Sequence, residues 1–203
     1  MTGSGFTPDL ERWQAWRPDE LEPRLRHLGE PWAFAAGWAI QLFVGGEPRP
    51  HDDLEIVVRR ESFPAVRDAL PELEWFVVGD GAAWPLDDAP GAPFQTWGRE
   101  GANGPWRVDV FRDRWEGDTW VCRRDPAIRR PVAEVIDRTD DDVPYLAPEI
   151  VLLFKAKAAR EKDELDLERA LPLLEPARRA WLADALRLVH PGHAWIDVVE
   201  PPA

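Results

Sequence analysis

The chain is poor in the residues on which several kinds of protein site depend. Among its 203 residues there is one cysteine, Cys122, so an internal disulfide and a thiolate zinc site are both excluded. Lysine and arginine together number 25, against 38 aspartates and glutamates, and the formal net charge is −13. Because phosphate backbones are bound by basic patches, general nucleic-acid binding is not expected, whereas a bound metal or a cationic partner suits this balance.

The chain also lacks long hydrophobic runs. No apolar stretch approaches the roughly 20 residues that a membrane span needs, and no basic-then-apolar leader opens the sequence. We therefore expect a cytoplasmic protein with no membrane partner. Apolar residues still make up 44% of the chain and 12 residues are tryptophan, so the sequence is long enough and apolar enough to build a packed core.

The order of the predicted elements indicates an α/β first part followed by helices. Hydrophobic periodicity predicts helices at 18–28, 32–44 and 62–70 and strands at 54–58, 74–78 and 106–111. The stretch 79–104 is rich in Gly and Pro and is predicted to be a long loop with a short strand at 94–97. Short strands at 120–123 and 133–136 and helices at 148–161, 163–174 and 176–189 follow. We expect an α/β (α+β) fold, with a mixed sheet and flanking helices over 1–145 and a helical region over 146–203.

Asp53, Glu55 and Asp109 are the candidate catalytic and metal-binding residues. Residues i and i+2 of a strand point to the same face, so Asp53 and Glu55 should emerge together while Leu54 and Ile56 enter the core. Two carboxylates about 7 Å apart along the backbone repel each other unless a cation lies between them. Asp109, on a strand about 4.8 Å away, would complete a set of oxygen ligands of the kind that binds Mg²⁺. An acid-x-acid pair at the start of a strand is common, however, and does not by itself specify catalysis.

Two segments together resemble a known signature. The segment 37–39 (Gly-Trp-Ala) and the segment 49–55 (Arg-Pro-His-Asp-Asp-Leu-Glu) are similar to the pattern of the polymerase-β-type nucleotidyltransferase superfamily, and most similar to its aminoglycoside and lincosamide adenylyltransferases. The resemblance covers the first 110 residues most clearly and extends to short stretches within 145–166. It implies a nucleotidyltransferase fold. The family pattern has Gly-Gly or Gly-Ser where this chain has Ala36-Gly37, and alanine takes a positive φ only with strain.

The resemblance implies an enzyme that moves a nucleoside monophosphate from ATP or another NTP to a hydroxyl group and releases pyrophosphate. Asp53 and Glu55 would hold Mg²⁺ on the triphosphate, and Asp109 would share a metal or take the proton of the acceptor as general base. The nucleotide contacts that it implies are Gly37, Trp38, Arg49, His51 and Lys155. The acceptor would be a small molecule, and the negative charge suits a cationic, aminoglycoside-like compound. A homodimer is allowed, because the resemblance implies an acceptor pocket that is formed either by the helical half of the chain or by a second subunit.

Two other functions stay open at this level. A protein of the same fold can act on a protein or tRNA partner, as in toxin–antitoxin systems, although an acidic surface disfavours tRNA. A non-catalytic nucleotide-binding relative is the other alternative. Ala36 is the only feature of the sequence that favours it, and the retention of all three carboxylates argues against it.

Overall fold

The structure, a computed structural model, describes residues 5–89 and 94–200. The helices, in chain order, are α1 (Pro18–Leu25), α2 (Ala36–Val44), α3 (Phe63–Ala69), α4 (Pro148–Lys155), α5 (Glu161–Ala170), α6 (Pro176–Val189) and α7 (Trp195–Val199). The strands are β1 (Trp32–Phe34), β2 (Glu55–Arg59), β3 (Leu73–Gly79), β4 (Ala82–Pro85), β5 (Gln95–Glu100), β6 (Trp106–Glu116), β7 (Thr119–Val121), β8 (Arg129–Pro131), β9 (Ile136–Arg138) and β10 (Pro144–Leu146).

The chain divides into two units that are each built from two segments. One unit comprises 1–34 and 50–115, and the other comprises 35–49 and 116–203. The first unit therefore holds the strands β1 to β6, and the second holds α2 together with the helices of the carboxyl-terminal part. The predicted division at residue 145 stays a prediction.

The first unit contains a mixed sheet with the strand order β4-β3-β5-β6-β2-β1. β2 and β6 run parallel, and all other neighbours along this order are antiparallel. Helices α1 and α3 pack against each other in this unit, and the ring of Phe63 in α3 meets that of Trp75 in β3 edge to face. The predicted fold class, a mixed sheet with flanking helices, is confirmed.

Aromatic side chains close one end of this sheet. Trp106, at the start of β6, packs edge to face against Phe76 and Trp97, with ring centroids 5.4 Å away in both contacts. Its indole Nε1 donates a hydrogen bond of 3.0 Å to the carbonyl of Asp9, and Trp13 packs on Trp97. A buried indole usually needs such a polar partner, so this contact ties the amino-terminal segment to the sheet.

The second unit is mainly helical. α2 packs against α4, α5 and β10, and α6 packs against α4 and α7. The strands pair antiparallel in two sets, β7 with β8 and β9 with β10. Four successive residues of α4, Ile150 to Leu153, are buried, as expected for a helix that is surrounded by other elements. None of the helices in the described ranges combines the length and apolar character that crossing a membrane requires.

A buried glutamate joins three elements of the second unit. Glu149, at the start of α4, is fully buried and accepts hydrogen bonds from Arg130 at 2.6 Å and from Arg178 at 3.1 Å. Arg178 also binds Asp137 of β9 through two nitrogens. Two guanidinium groups thus compensate the charge of Glu149, because a buried carboxylate is costly unless it is paired and hydrogen-bonded.

The predicted helix at 32–44 is wrong at its beginning. Trp32–Phe34 forms β1, paired antiparallel with Ile56 to Val58 of β2, and the helix begins only at Ala36. A short, wholly apolar run fits a buried strand and a buried helix equally well, so periodicity alone does not separate them. The predicted stop is confirmed, since Gly45 ends α2 with φ of 71°.

The predicted long loop at 79–104 is also wrong in part. Its described residues contain β4 and β5, and the short strand predicted at 94–97 is the first part of β5. Residues 90–93 lie outside the described residues. Proline and glycine suggested a loop, yet β4 lies at the edge of the sheet, where proline is tolerated.

Smaller corrections concern the second half of the chain. The predicted strand at 133–136 is a 3-10 turn, Val132–Glu134, followed by β9. The predicted helix at 148–161 ends earlier, at Lys155, and continues as a 3-10 turn. The helix predicted at 163–174 begins two residues earlier and ends at Ala170, whereas the helix predicted at 176–189 is α6 itself.

Candidate active site

The parallel pairing of β2 with β6 brings two of the predicted carboxylates side by side. Glu55 and Asp109 are direct partners across these strands, and the N–H of Asp109 donates to the carbonyl of Leu54 at 2.8 Å. Partners in register project from the same face of a sheet. Asp53 precedes Glu55 by two residues, just before β2 begins, and Leu54 and Ile56 are fully buried as predicted.

The three carboxylates differ in their exposure. Asp109 is buried in the middle of the sheet, with 4% of its surface exposed, whereas Asp53 and Glu55 are half-buried. Across the described ranges 5–89 and 94–200, no three His, Cys, Asp or Glu side chains converge as a formed metal site. Three carboxylates are nevertheless the oxygen donors that Mg²⁺ prefers, so the chemistry of this donor set fits that ion.

Gln95 is a residue of this site that sequence reasoning missed. Its side-chain Nε2 donates a hydrogen bond of 2.5 Å to Oδ2 of Asp109. β5 is antiparallel to β6, with Trp97 opposite Asp109 and Gln95 opposite Phe111, so Gln95 lies diagonally across from the carboxylate. A glutamine in a strand carries no signal of this role in the sequence, because the contact depends on the register between β5 and β6.

The predicted phosphate-facing residues Gly37 and Trp38 lie in the first turn of α2, in the second unit. Both are buried, and Ala35 precedes the helix with extended backbone and no side-chain cap. The first N–H groups of a helix have no partner within the helix and favour anions. Ala36 has φ of 46°, in the left-handed region. The alanine that departs from the family pattern therefore keeps a backbone conformation that glycine adopts without cost.

Replacing Ala36 by glycine should raise the free energy of unfolding by about 0.5–1 kcal/mol. A left-handed conformation costs an L-residue roughly 1–2 kcal/mol, and the larger conformational freedom of glycine in the unfolded chain offsets part of that gain. Ala39→Gly in the same helix is the matched control and should lower stability by about 1 kcal/mol, because no strain is relieved there. Urea unfolding of both variants measures the two effects. A loss of stability in Ala36→Gly would contradict a strained backbone at Ala36.

The two predicted phosphate contacts Arg49 and Lys155 meet at an aspartate of α5. Arg49 binds Asp166 through Nε at 3.0 Å and Nη2 at 2.8 Å, as a bidentate pair. Lys155 lies 2.9 Å from Asp166 and 2.6 Å from Asp163, which also accepts hydrogen bonds from Arg160. The side chains of Asp163 and Asp166 are 1% exposed and that of Lys155 is 8% exposed.

These cations control the charge of the two aspartates. Burial by itself would raise the pKa of Asp163, but hydrogen bonds from Arg160 and Lys155 outweigh it and hold that pKa at about 2. Burial acts in the same way on Asp166, and the hydrogen bond from Arg49 with the charge of Lys155 lowers its pKa. Both aspartates are therefore ionised at neutral pH, and each cation has a fixed counter-charge.

His51, the remaining predicted contact, lies in the first unit on the loop that precedes β2. It is half-buried, and the exposed Asp52 follows it. The structure thus places the predicted residues in two groups. The group in the first unit is His51, Asp53, Glu55 and Asp109, and the group in the second unit is Gly37, Trp38, Arg49 and Lys155.

Comparison with known proteins identifies the fold of the chain. No protein-family model matches the chain, and no curated protein matches it. Solved structures, in contrast, match the chain. The lincosamide antibiotic adenylyltransferase LnuA, solved with lincomycin bound, is 16% identical over 74% of this chain and 92% of its own, with a TM-score of 0.53. The antibiotic-resistance factor ANT(2'')-Ia, solved in solution, is 14% identical over 84% of this chain and 89% of its own, with a TM-score of 0.55.

At these identities the likeness establishes the fold. The chain has the nucleotidyltransferase fold, like these two proteins, and the fold that the motifs at 37–39 and 49–55 implied is confirmed. Both matched proteins are covered over about nine-tenths of their own length, so the likeness includes nearly all of each.

Proposed function

We propose that this chain is a Mg²⁺-dependent nucleotidyltransferase that moves AMP from ATP to a hydroxyl of a small molecule. The observation that carries the proposal is the parallel register that makes Glu55 and Asp109 direct partners, with Asp53 two residues upstream. Because a fold by itself does not specify a reaction, the placement of these carboxylates is what argues for this chemistry. The name of one matched protein, a lincosamide antibiotic adenylyltransferase, supports the class of reaction.

In this proposal Asp53 and Glu55 hold the metal, and Asp109 either shares it or accepts the proton of the acceptor hydroxyl. Mg²⁺, when bound, would neutralise charge on the triphosphate and on the departing pyrophosphate. Asp109 suits the proton-accepting role because it is buried and has one oxygen fixed by Gln95. A base held in one orientation makes a larger contribution to proton transfer than a freely rotating one.

The proposed contacts to the nucleotide are Gly37, Trp38, Arg49 and Lys155, together with His51. The first turn of α2, with Gly37 and Trp38, offers backbone N–H groups to phosphate oxygens. Arg49 and Lys155 act on the triphosphate as charges that Asp163 and Asp166 keep in place. His51 would contact the phosphate or the acceptor.

Calorimetry with ATP tests the nucleotide site. The wild type should bind ATP with an affinity that depends on Mg²⁺, and Asp53→Ala should lose the dependence on the metal. Asp52→Ala is the matched control: it removes an adjacent, exposed carboxylate and should bind as the wild type does. ATP binding by the wild type that is unaffected by Mg²⁺ would contradict the proposal.

A transfer assay tests the acceptor. Radiolabelled ATP is incubated with lincomycin, the compound named with one matched structure, with an aminoglycoside and with a library of hydroxylated compounds. Formation of an adenylylated small molecule supports the proposal. Label that appears on a protein band, with none on any compound, would instead favour the alternative that the chain modifies a protein.

A further inference from the structure

Asp109 has an unusual position for an acidic residue. It lies in the middle of the long strand β6, opposite Glu55 of β2 on one side and Trp97 of β5 on the other, and it is 96% buried. A buried carboxylate loses its hydration and needs hydrogen-bond donors to replace it. The donor that reaches its Oδ2 is the side-chain amide of Gln95, at 2.5 Å.

The hydrogen bond has a defined direction. The NH₂ group of Gln95 donates and Oδ2 of Asp109 accepts, which is the arrangement that a carboxylate requires when it is ionised. A hydrogen bond to an ionised acceptor is shorter and about twice as strong as one between neutral groups. Because it is made to one oxygen only, it fixes the plane of the carboxylate and the direction of the other oxygen.

The side-chain donor Gln95 is neutral, unlike the side-chain donors to the buried acids Glu149, Asp163 and Asp166. Glu149 is bound by two arginines, and Asp163 and Asp166 are bound by lysine and arginine. The contact from Gln95 orders a carboxylate without adding a positive charge beside Glu55. A site that has to attract a cation is served by a donor of this kind, whereas an arginine in the same place would oppose the cation.

We propose that Gln95 is the positioning residue of Asp109, holding one carboxylate oxygen so that the other is presented to the metal or to the acceptor hydroxyl. The inference rests on the proposed function. Hydrogen-bonding partners of metal-binding carboxylates typically change metal affinity or activity by 10–100-fold when they are removed. Gln95 touches neither substrate nor metal in this account, and it acts through Asp109.

The experiment measures the affinity of Mn²⁺ in the presence of ATP by electron paramagnetic resonance, which needs no turnover. Gln95→Met keeps the length of the side chain and removes the amide, and the affinity should fall by about 10–100-fold. Thr96→Val is the matched control on β5. Thr96 is fully buried and its hydroxyl makes no hydrogen bond to any residue of 5–89 or 94–200, so the isosteric valine changes the neighbouring position without touching Asp109. It should bind Mn²⁺ as the wild type does.

The same substitution in the Asp109→Asn background separates positioning from a general structural effect. If Gln95 acts through Asp109, then Gln95→Met should change the already weakened affinity of that variant by less than about twofold. An equal loss in both backgrounds would overturn the inference, as would an unchanged affinity in Gln95→Met alone. Absence of Mn²⁺ binding in the wild type, with or without ATP, would overturn the proposed function and the inference together.

A measurement on the folded, metal-free protein tests the inference even if Gln95→Met fails to fold. The side-chain ¹⁵N–¹H resonances of Gln95 should show slow hydrogen exchange in the wild type. Exchange should be faster in Asp109→Asn, because the remaining acceptor is a neutral amide oxygen and the hydrogen bond to it is weaker. Amide protons that exchange at the rate of an exposed glutamine in the wild type would overturn the positioning role by themselves.

Discussion

Asp109→Asn should lower the rate of nucleotidyl transfer by about a thousand-fold or more while the protein stays folded. A thousand-fold loss corresponds to about 4 kcal/mol of transition-state stabilisation, the magnitude expected when a group that carries charge compensation or proton transfer is removed. Asparagine has the same shape and can still accept a hydrogen bond from Gln95 through its amide oxygen. The loss should therefore fall on the reaction and on metal binding, with little loss of stability.

Asp113→Asn is the matched control for this variant. Asp113 is on the same strand as Asp109, four residues further along, and is likewise buried. The residue that lies opposite it on β2 is Arg59 and not Glu55. Its replacement should change stability without a comparable loss of transfer. The measurements are the initial rate of adenylylation and the urea midpoint for both variants. Equal losses of rate in the two would indicate that buried charge in β6 supports the fold in general, and would contradict a specific role of Asp109.

The placement of Asp109 was accessible from the sequence in part, because local patterns predicted its strand and that of Glu55. Alternating residues predicted strands around Glu55 and Asp109, and the spacing of neighbouring strands made a cluster plausible once the two strands were taken as neighbours. The structure confirms that β2 and β6 are neighbours and in the register that pairs the two residues. That these two strands lie next to each other was implied by the motif resemblance, because hydrophobic periodicity does not show which strands pair.

What the sequence did not predict depends on contacts between distant positions. The hydrogen bond from Gln95 requires the antiparallel register of β5 with β6, and β5 lies in a stretch whose glycines and prolines indicated a loop. The pairing of Arg49 with Asp166 joins residues 117 positions apart. Arg49 and Lys155 were predicted as nucleotide contacts, which stays a prediction, and the sequence alone does not show that buried aspartates hold both.

Asp166→Ala should lower the free energy of unfolding at neutral pH by about 3–5 kcal/mol. The substitution leaves Arg49 without its bidentate partner and leaves Lys155, which is 8% exposed, with Asp163 alone. Removing one member of a buried ion pair is costly because the remaining charge stays desolvated. Asp184→Ala is the matched control, since Asp184 also pairs with an arginine on a helix but is 80% exposed. It should cost about 1 kcal/mol or less.

The pH dependence of this difference follows from the direction of the pKa shift. The pKa of Asp166 is lowered in the folded protein, so its contribution to stability is fully present above the pKa of the unfolded chain, about 4, and is lost as the pH falls further. The gap between wild type and Asp166→Ala should therefore narrow below about pH 4, and Asp184→Ala is measured beside it as the control. Urea unfolding at pH 7, 4 and 3 measures both, and a gap that is independent of pH would contradict an ionised Asp166.

A second substitution shows whether the charge of Arg49, once Asp166 is removed, causes the loss of stability. Arg49→Leu in the Asp166→Ala background removes the cation that Asp166 compensates, so the double variant should recover part of the stability that Asp166→Ala loses. If the recovery is accompanied by weaker ATP binding, Arg49 contributes to the nucleotide site beyond its part in the ion pair. If ATP binds as tightly as in wild type, then Arg49 serves the fold, and the proposed contact to the triphosphate belongs to the other residues.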